Sequence, residues 1–206
     1  MMVIIENWGV MRYDTEHKQR THEKVVHNAA EAIRQYGPDK IGVADLMAKS
    51  GLTHGGFYAH FKSKDDLVAE AISYMFEERL EAFRNCMSGV EPAEGLAKYI
   101  DLYLSTRHRD KRDKGCPVAS LAGDIARMPV VARKRFEIGI NNLSVGLSDT
   151  LKALQAPEPE MLAASIGAEM VGAMAIARAV SNADISERIL EVTRTSIKKR
   201  IGLAIG

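Results

Sequence analysis

Ser50-Gly51-Leu52-Thr53-His54-Gly55-Gly56-Phe57-Tyr58-Ala59-His60-Phe61 is the stretch on which the fold of this chain turns. Just before it, Val43 to Lys49 has the apolar spacing of a short helix, and Gly51 marks a tight turn. Beyond the turn, Leu52, Phe57 and Phe61 can face inward, while Thr53, His54, Tyr58 and His60 present hydrogen-bonding groups on the other side. A short helix, a turn and a second short helix with a polar outer face describe a helix-turn-helix, a shape that enters the major groove of DNA.

Working outward, a helix from about Thr15 to Tyr36 carries Val26, Ala29, Ala30 and Ile33 on one face and stops at Gly37-Pro38. Gly42 can cap the helix at Val43, and Thr53 the one that follows the turn. Ser63 with Asp66 resembles a capping box and opens a long connecting helix to about Met87. A break at Ser88-Gly89-Val90-Glu91-Pro92 places the domain boundary. The next helix carries Leu96, Tyr99, Ile100, Tyr103 and Leu104, and a charged loop is expected from Arg107 to Lys114.

Cys116-Pro117 begins another helix, since Pro is favoured at the first helical position. Met128-Pro129 begins a strongly amphipathic one that reaches Leu154, and Pro157 and Pro159 precede an Ala- and Gly-rich helix. In that helix Leu162, Ile166, Met170 and Ala173 share one side. Ala164, Ala168, Gly172 and Ala175 share another, small enough for a neighbouring backbone to come close. Asp184 is the expected cap of the last helix, which aligns Leu190, Thr193, Ile197 and Ile201. The predicted fold is all-α with about nine helices. It divides into an arm at 1–13, a helix-turn-helix at 14–62, a connecting helix at 63–87 and a ligand-binding and dimerisation domain at 88–206. Met11 is a second candidate start, which would make the first ten residues upstream sequence.

The 206 residues are 46% hydrophobic, 27% charged and 6% aromatic, ordinary values for a globular protein and poor in strand formers. A net charge of +1 does not itself announce a nucleic-acid partner. Between Arg12 and Asp65, however, nine Lys or Arg stand against seven Asp or Glu, with five of the six His. Two cysteines make no disulfide framework, so a reducing cytoplasm is expected. The opening Met1 to Glu6 lacks the basic start and long apolar core of a secretory signal. Glu169 and Arg178 interrupt the apolar run Met161 to Val180, so a buried helix is expected there, not a membrane span.

Several residues carry candidate chemistry. Gly55 and Gly56 either relax the turn or let the backbone approach DNA closely. Thr53 caps or meets a phosphate. His54 can donate to a guanine or a phosphate, and Tyr58 and His60 reach phosphate oxygens. Lys64 adds an ammonium at a helix N-terminus, where anions are favoured. Cys116, with Lys111, Arg112 and Lys114 nearby in sequence, is either a thiol sensor of oxidants or electrophiles or a small buried residue. Tyr99, Tyr103, Cys116, Met128, Phe136, Met170 and Met174 are candidates for a small-molecule pocket, or plain core. No Ser-His-Asp pattern, phosphate loop or Cys/His metal spacing is present, so no enzyme, cofactor or metal is expected. A helical adaptor for other proteins is the competing reading.

The residues also resemble a known family. Glu16-His17-Lys18 to Gly37, Val43-Ala44-Asp45-Leu46-Met47-Ala48-Lys49-Ser50-Gly51-Leu52, and Gly55-Gly56-Phe57-Tyr58-Ala59-His60-Phe61-Lys62-Ser63-Lys64-Asp65-Asp66-Leu67 resemble the DNA-binding domain of the tetracycline-repressor (TetR) family. The last segment is the most specific, with Tyr58, Phe61 and Lys64 at steps of three and Leu67 beyond. Gly115-Cys116-Pro117 before Leu121 resembles one subgroup. Gly42 stands where Ser or Thr often caps, and Ser50 where Ala is common. The resemblance implies a nine-helix homodimer on a palindromic operator, joined through its last two helices. It also implies a small-molecule inducer that spreads the heads and releases DNA, with steric repression the simplest mode of action.

Overall fold

The computed structural model describes residues 8–204, with side chains from residue 16. Among these residues there are nine α-helices, three 3-10 helices and no strand. Helix α1 (Trp8–Tyr36) starts well before the predicted Thr15. Between Trp8 and Thr15 only Gly9 is a poor helix former, and a nucleated helix propagates cheaply. Of the predicted arm, residues 1–7 lie outside the described part. Helix α2 (Val43–Lys49) is followed by a 3-10 helix, His54–Ala59, where an ordinary helix was expected. Two adjacent glycines make a poor α-helix nucleus, and the tighter turn needs only six residues.

Helix α3 (Lys64–Met87) is capped as predicted: Ser63 Oγ accepts the Asp66 N–H at 3.1 Å. The Asp66 carboxylate reaches back to the Lys62 N–H at 3.2 Å, one residue before the partner a capping box would use. Helix α4 (Pro92–Tyr103) is followed by α5 (Thr106–Asp110) and a 3-10 turn at Arg112–Lys114, where a charged loop was predicted. Ser105 Oγ accepts the His108 N–H at 3.1 Å and starts α5 despite its charged composition. Then come α6 (Pro117–Leu121), a 3-10 turn at Ile125–Arg127, α7 (Val130–Ala153), α8 (Pro159–Ala179) and α9 (Ala183–Arg200). Asn182, not Asp184, caps α9, its Oδ1 accepting the Ile185 N–H at 3.0 Å.

Two apolar cores are strung on α3. Its first half contributes Leu67, Ala71, Ile72, Met75 and Phe76 to a core with Val25, Ile33, Met47, Phe57 and Phe61, which also takes in Leu121, Ala132 and Phe136. Its second half contributes Phe83 and Cys86 to the body core with Leu96, Ile100, Leu151, Ile166 and Leu190. Phe76 and Phe83, seven residues apart, lie against Gly139 and Gly146, seven apart on α7. A Cβ on Gly139 would come within 2.1 Å of the Phe76 ring, and one on Gly146 within 3.2 Å of Phe83. Ring over glycine is what lets the two longest body helices approach closely.

Candidate nucleic-acid interface and ligand cavity

The 3-10 helix stands on two aromatic anchors. Phe57 and Phe61 are each 2% exposed, with ring centroids 5.4 Å apart, and His22 from α1 stacks on Phe61 at 4.5 Å. Beneath the turn, the buried Ser50 hydroxyl accepts from Asn28 Nδ2 at 2.9 Å and donates to the Leu46 carbonyl at 2.8 Å. The unusual Ser50 is thus one half of a hydrogen-bonded pair that ties α1 to the turn.

With its apolar side fixed, the segment turns the remaining side chains outward. Tyr58 is 71% exposed, its ring edge-on to Phe57 at 5.3 Å. Thr53, His54 and Gly55 are exposed. Thr53 makes no capping hydrogen bond, contrary to expectation, so its hydroxyl is not committed to the helix start. Gly55 and Gly56 have no left-handed φ, and a Cβ on either would meet nothing closer than 3.7 Å. The fold itself therefore does not demand glycine at these two positions.

His60 is half-buried and leans toward α1, its ring 6.1 Å from that of His22. Burial first, and then the His22 and Lys18 charges, lower its pKa, so the imidazole is held neutral. Its Nδ1 is buried with no hydrogen-bond partner, while His22 Nε2 is 2.6 Å from Glu70. Lys64 is half-buried at the start of α3, on a polar cleft shared with Asp39, Asp65 and Asp124.

In the body, α3, α4, α6, α7 and α8 wall a cavity of about 510 Å³ that opens to the surface beside Ile140, Ala164 and Ala168. That is the size of a small-molecule site. Tyr99, Tyr103, Cys116 and Met170, all singled out from sequence, line it, and so do Phe83, Leu143, Ser144 and Leu147. Three of the singled-out residues lie elsewhere. Phe136 packs edge-on to Phe76 at 5.3 Å in the head-side core, Met128 borders the polar cleft, and Met174 is buried in the body core. Periodicity marks a residue as inward-facing but does not say which of two cores it enters. Ala164, Ala168 and Gly172, read from spacing as a helix-contact face, form part of the cavity wall. Small side chains leave room for a ligand as readily as for a helix, which is why the spacing alone did not reveal them.

Tyr103 is 3% exposed, and among the described residues its buried hydroxyl has no oxygen or nitrogen partner, only the Cys116 sulfur beside it. An unmet buried hydroxyl costs about 1–3 kcal/mol. Burial above all, with the Cys116 sulfur beside it, keeps this phenol protonated well above the usual tyrosine range. His108 fixes this end of the cavity: its Nδ1–H donates to the Tyr103 carbonyl at 2.7 Å, and its Nε2 accepts the Cys116 N–H at 3.0 Å. Accepting at Nε2 while donating from Nδ1 needs the neutral ring, and burial pulls the His108 pKa down to about 3.

Cys116 itself is 2% exposed. Two of the basic residues near it in sequence are engaged elsewhere: Arg112 donates to the Arg178 carbonyl at 2.9 Å, and Lys114 pairs with Glu31 at 3.8 Å. The electropositive setting expected around the thiol is therefore not built from them, and Cys116 is a buried wall residue.

The turn Arg112–Lys114 links the two sites. On the head side, Arg34 of α1 donates to the Asp113 carbonyl at 3.1 Å and the Met75 carbonyl at 3.3 Å, and pairs with Glu78 at 2.6 Å. On the body side, Arg112 of the turn donates to the Arg178 carbonyl on α8 at 2.9 Å, while the Arg178 guanidinium holds the preceding helix through the carbonyls of His108 at 3.0 Å and Arg109 at 3.2 Å and reaches Ser120 Oγ at 3.3 Å.

An anchored turn carrying exposed polar side chains is joined through one long helix to a helical body with an apolar cavity, a helix-turn-helix head on a larger helical domain. Residues 25–71 match the model of the bacterial regulatory proteins of the tetR family. A helix-turn-helix transcriptional regulator of Mycobacterium tuberculosis is 33% identical over 124 residues, 56% of this chain and 62% of the relative. LmrA of Bacillus subtilis is 29% identical over 107 residues, 50% of this chain and 56% of that protein. The matched segments thus span less than two thirds of these relatives. A TetR transcriptional regulator from Chloroflexus aurantiacus superposes with a TM-score of 0.76 at 27% identity, over 90% of this chain and 98% of that one. The reduced form of Escherichia coli NemR gives 0.77 at 18% identity, over 87% and 97%, a likeness of fold. Residues 25–71 thus match the tetR-family model, and nearly the whole chain shares the fold of these solved regulators.

Proposed function

We propose that the chain is a DNA-binding transcriptional regulator that holds a palindromic operator as a dimer and lets go when a small molecule fills the body cavity. Repression by occupying the operator is the simplest mode. The observation that carries this reading is the division of labour within His54–Ala59: Phe57 is sealed in the core while Tyr58, beside it, stands 71% exposed. Such a segment has a rigid back and a polar front, the requirement for groove contact. Thr53, His54, Gly55, Gly56 and Tyr58 form that front, with His60 half-buried at its edge against α1 and Lys64 beyond it toward the phosphates.

One short segment makes few contacts, so two copies at fixed spacing are needed for affinity. The exposed apolar residues Met161 and Ile176 on α8, with Ile185 and Val192 on α9, support a dimer face there. By length and composition alone α8 is apolar enough to cross a membrane. Its Glu169 is paired with Arg200 at 2.6 Å and its Arg178 is bound to backbone carbonyls, which favours a helix inside a protein assembly.

The test is a mobility-shift titration on palindromic DNA from beside the chain's own coding region. Salt-sensitive binding is expected. Tyr58→Ala should weaken every sequence alike, and His54→Ala should relax sequence preference. Binding unaffected by both substitutions, or none by a folded dimer, would sink the reading.

A further inference from the structure

We propose that the body cavity selects a neutral, mainly apolar molecule bearing one hydrogen-bond-accepting carbonyl oxygen, which seats on the Tyr103 hydroxyl. The inference rests on the reading of the cavity as a ligand site and names the class of ligand.

Three observations carry it. Among the described residues no charged side chain lines the cavity, and its polar wall residues are Tyr99, Tyr103, Ser144 and Cys116. Each of these carries a hydrogen to donate, and none is an obligatory acceptor. The complementary ligand group is therefore an acceptor without a charge. Second, the Tyr103 hydroxyl is buried at the cavity wall and, among the described residues, has only the weakly hydrogen-bonding Cys116 thiol beside it. A carbonyl oxygen brought in by a ligand is the stronger acceptor for it. Third, the donor cannot swing away. His108 packs edge-on to the Tyr103 ring at 4.7 Å and grips the Tyr103 carbonyl and the Cys116 N–H from its two nitrogens.

Arg178 does not supply a countercharge, because its guanidinium donates to the His108 and Arg109 carbonyls and to Ser120. Arg79 acts on both cavity phenols from outside the wall, so a carboxylate ligand is the rival worth testing directly.

The experiment titrates the full chain calorimetrically with 2-ethylnaphthalene, 2-acetylnaphthalene and 2-naphthoate, which share one apolar body. The ketone is expected to bind about 2- to 10-fold more tightly than the hydrocarbon, the worth of one net hydrogen bond, with the carboxylate weakest. In Tyr103→Phe the ketone and hydrocarbon should fall within about twofold of each other, with hydrocarbon affinity retained. Because the phenylalanine removes a buried hydroxyl that has only the weakly hydrogen-bonding Cys116 thiol beside it, the ligand-free variant should melt no lower than the native protein. Equal binding of ketone and hydrocarbon, a preference that survives Tyr103→Phe, tightest binding by the carboxylate, no binding of any of the three, or a lowered Tm in the variant would each overturn the proposal. Operator binding is read separately by mobility shift. Its loss with the ketone preference intact removes the regulator reading alone, whereas operator binding without the preference removes this inference alone.

Discussion

Ser50 and Asn28 show how much a single side chain decides at the turn. Their hydrogen bond is buried, so Ser50→Ala strands the Asn28 amide, and Asn28→Ala strands the Ser50 hydroxyl's acceptor side. Each single substitution is expected to cost about 1–3 kcal/mol, because an unmet buried group loses its full desolvation energy. The double variant should cost less than the two added together. Urea denaturation of all four proteins measures this, and strictly additive losses would show that the pair is not coupled. His108 makes a residue-scale prediction about pH. Its folded pKa of about 3 lies below the ordinary 6.5. Between those values the unfolded chain binds a proton that the folded chain refuses. Stability should therefore fall as pH drops from 6.5 toward 3, by up to about 1.4 kcal/mol per pH unit from this group. A His108→Gln variant should show a shallower dependence in the same window; equal slopes would mean that the ring titrates normally.

At the scale of elements, the crossing of α3 and α7 sets the width of the body and therefore the room between its helices. Phe76 lies over Gly139 so closely that a methyl group there must move the ring or the helix. Gly139→Ala is expected to cost about 1–3 kcal/mol by overpacking, measured as a lowered denaturation midpoint with an unchanged slope. Stability equal to the native protein would mean that the crossing is looser than described. The recognition segment obeys the opposite logic. Its two glycines have open space around them, so the packing of the segment does not require them.

For the whole molecule, the Arg112–Lys114 turn is gripped by Arg34 from the head and bound to α8 through Arg178. A ligand that displaces α8 or the Tyr103–Cys116 end of the cavity would pull this turn, and with it α1. Arg34→Lys keeps the charge but cannot span both carbonyls and Glu78 at once. It is expected to leave cavity affinity within about twofold while reducing the ligand-induced loss of operator affinity by about 1 kcal/mol or more. Titrating the ligand into the native and variant proteins, free and operator-bound, tests this; unchanged coupling would place the route elsewhere.

The sequence by itself determined the helical class, the break after Met87, the Ser63 cap and the split of the recognition segment into anchors and outward groups. Each is local, set by apolar period, Pro and Gly punctuation or a side chain reaching three residues along. Only the tertiary structure decided which core received Phe136 and Met128, that Ser50 answers Asn28, and that Gly139 receives Phe76. It alone placed Ala164, Ala168 and Gly172 around a cavity and turned Arg107 to Lys114 from a loop into a helix and a strut. These features join residues distant in the chain, and a periodicity that marks a face as inward carries no information about what will meet it there. The stretch from Ser50 to Phe61 was legible because its anchors and outward groups lie within twelve residues. The Tyr103 hydroxyl was not, because its lack of an oxygen or nitrogen partner among the described residues is a property of the packed space around it.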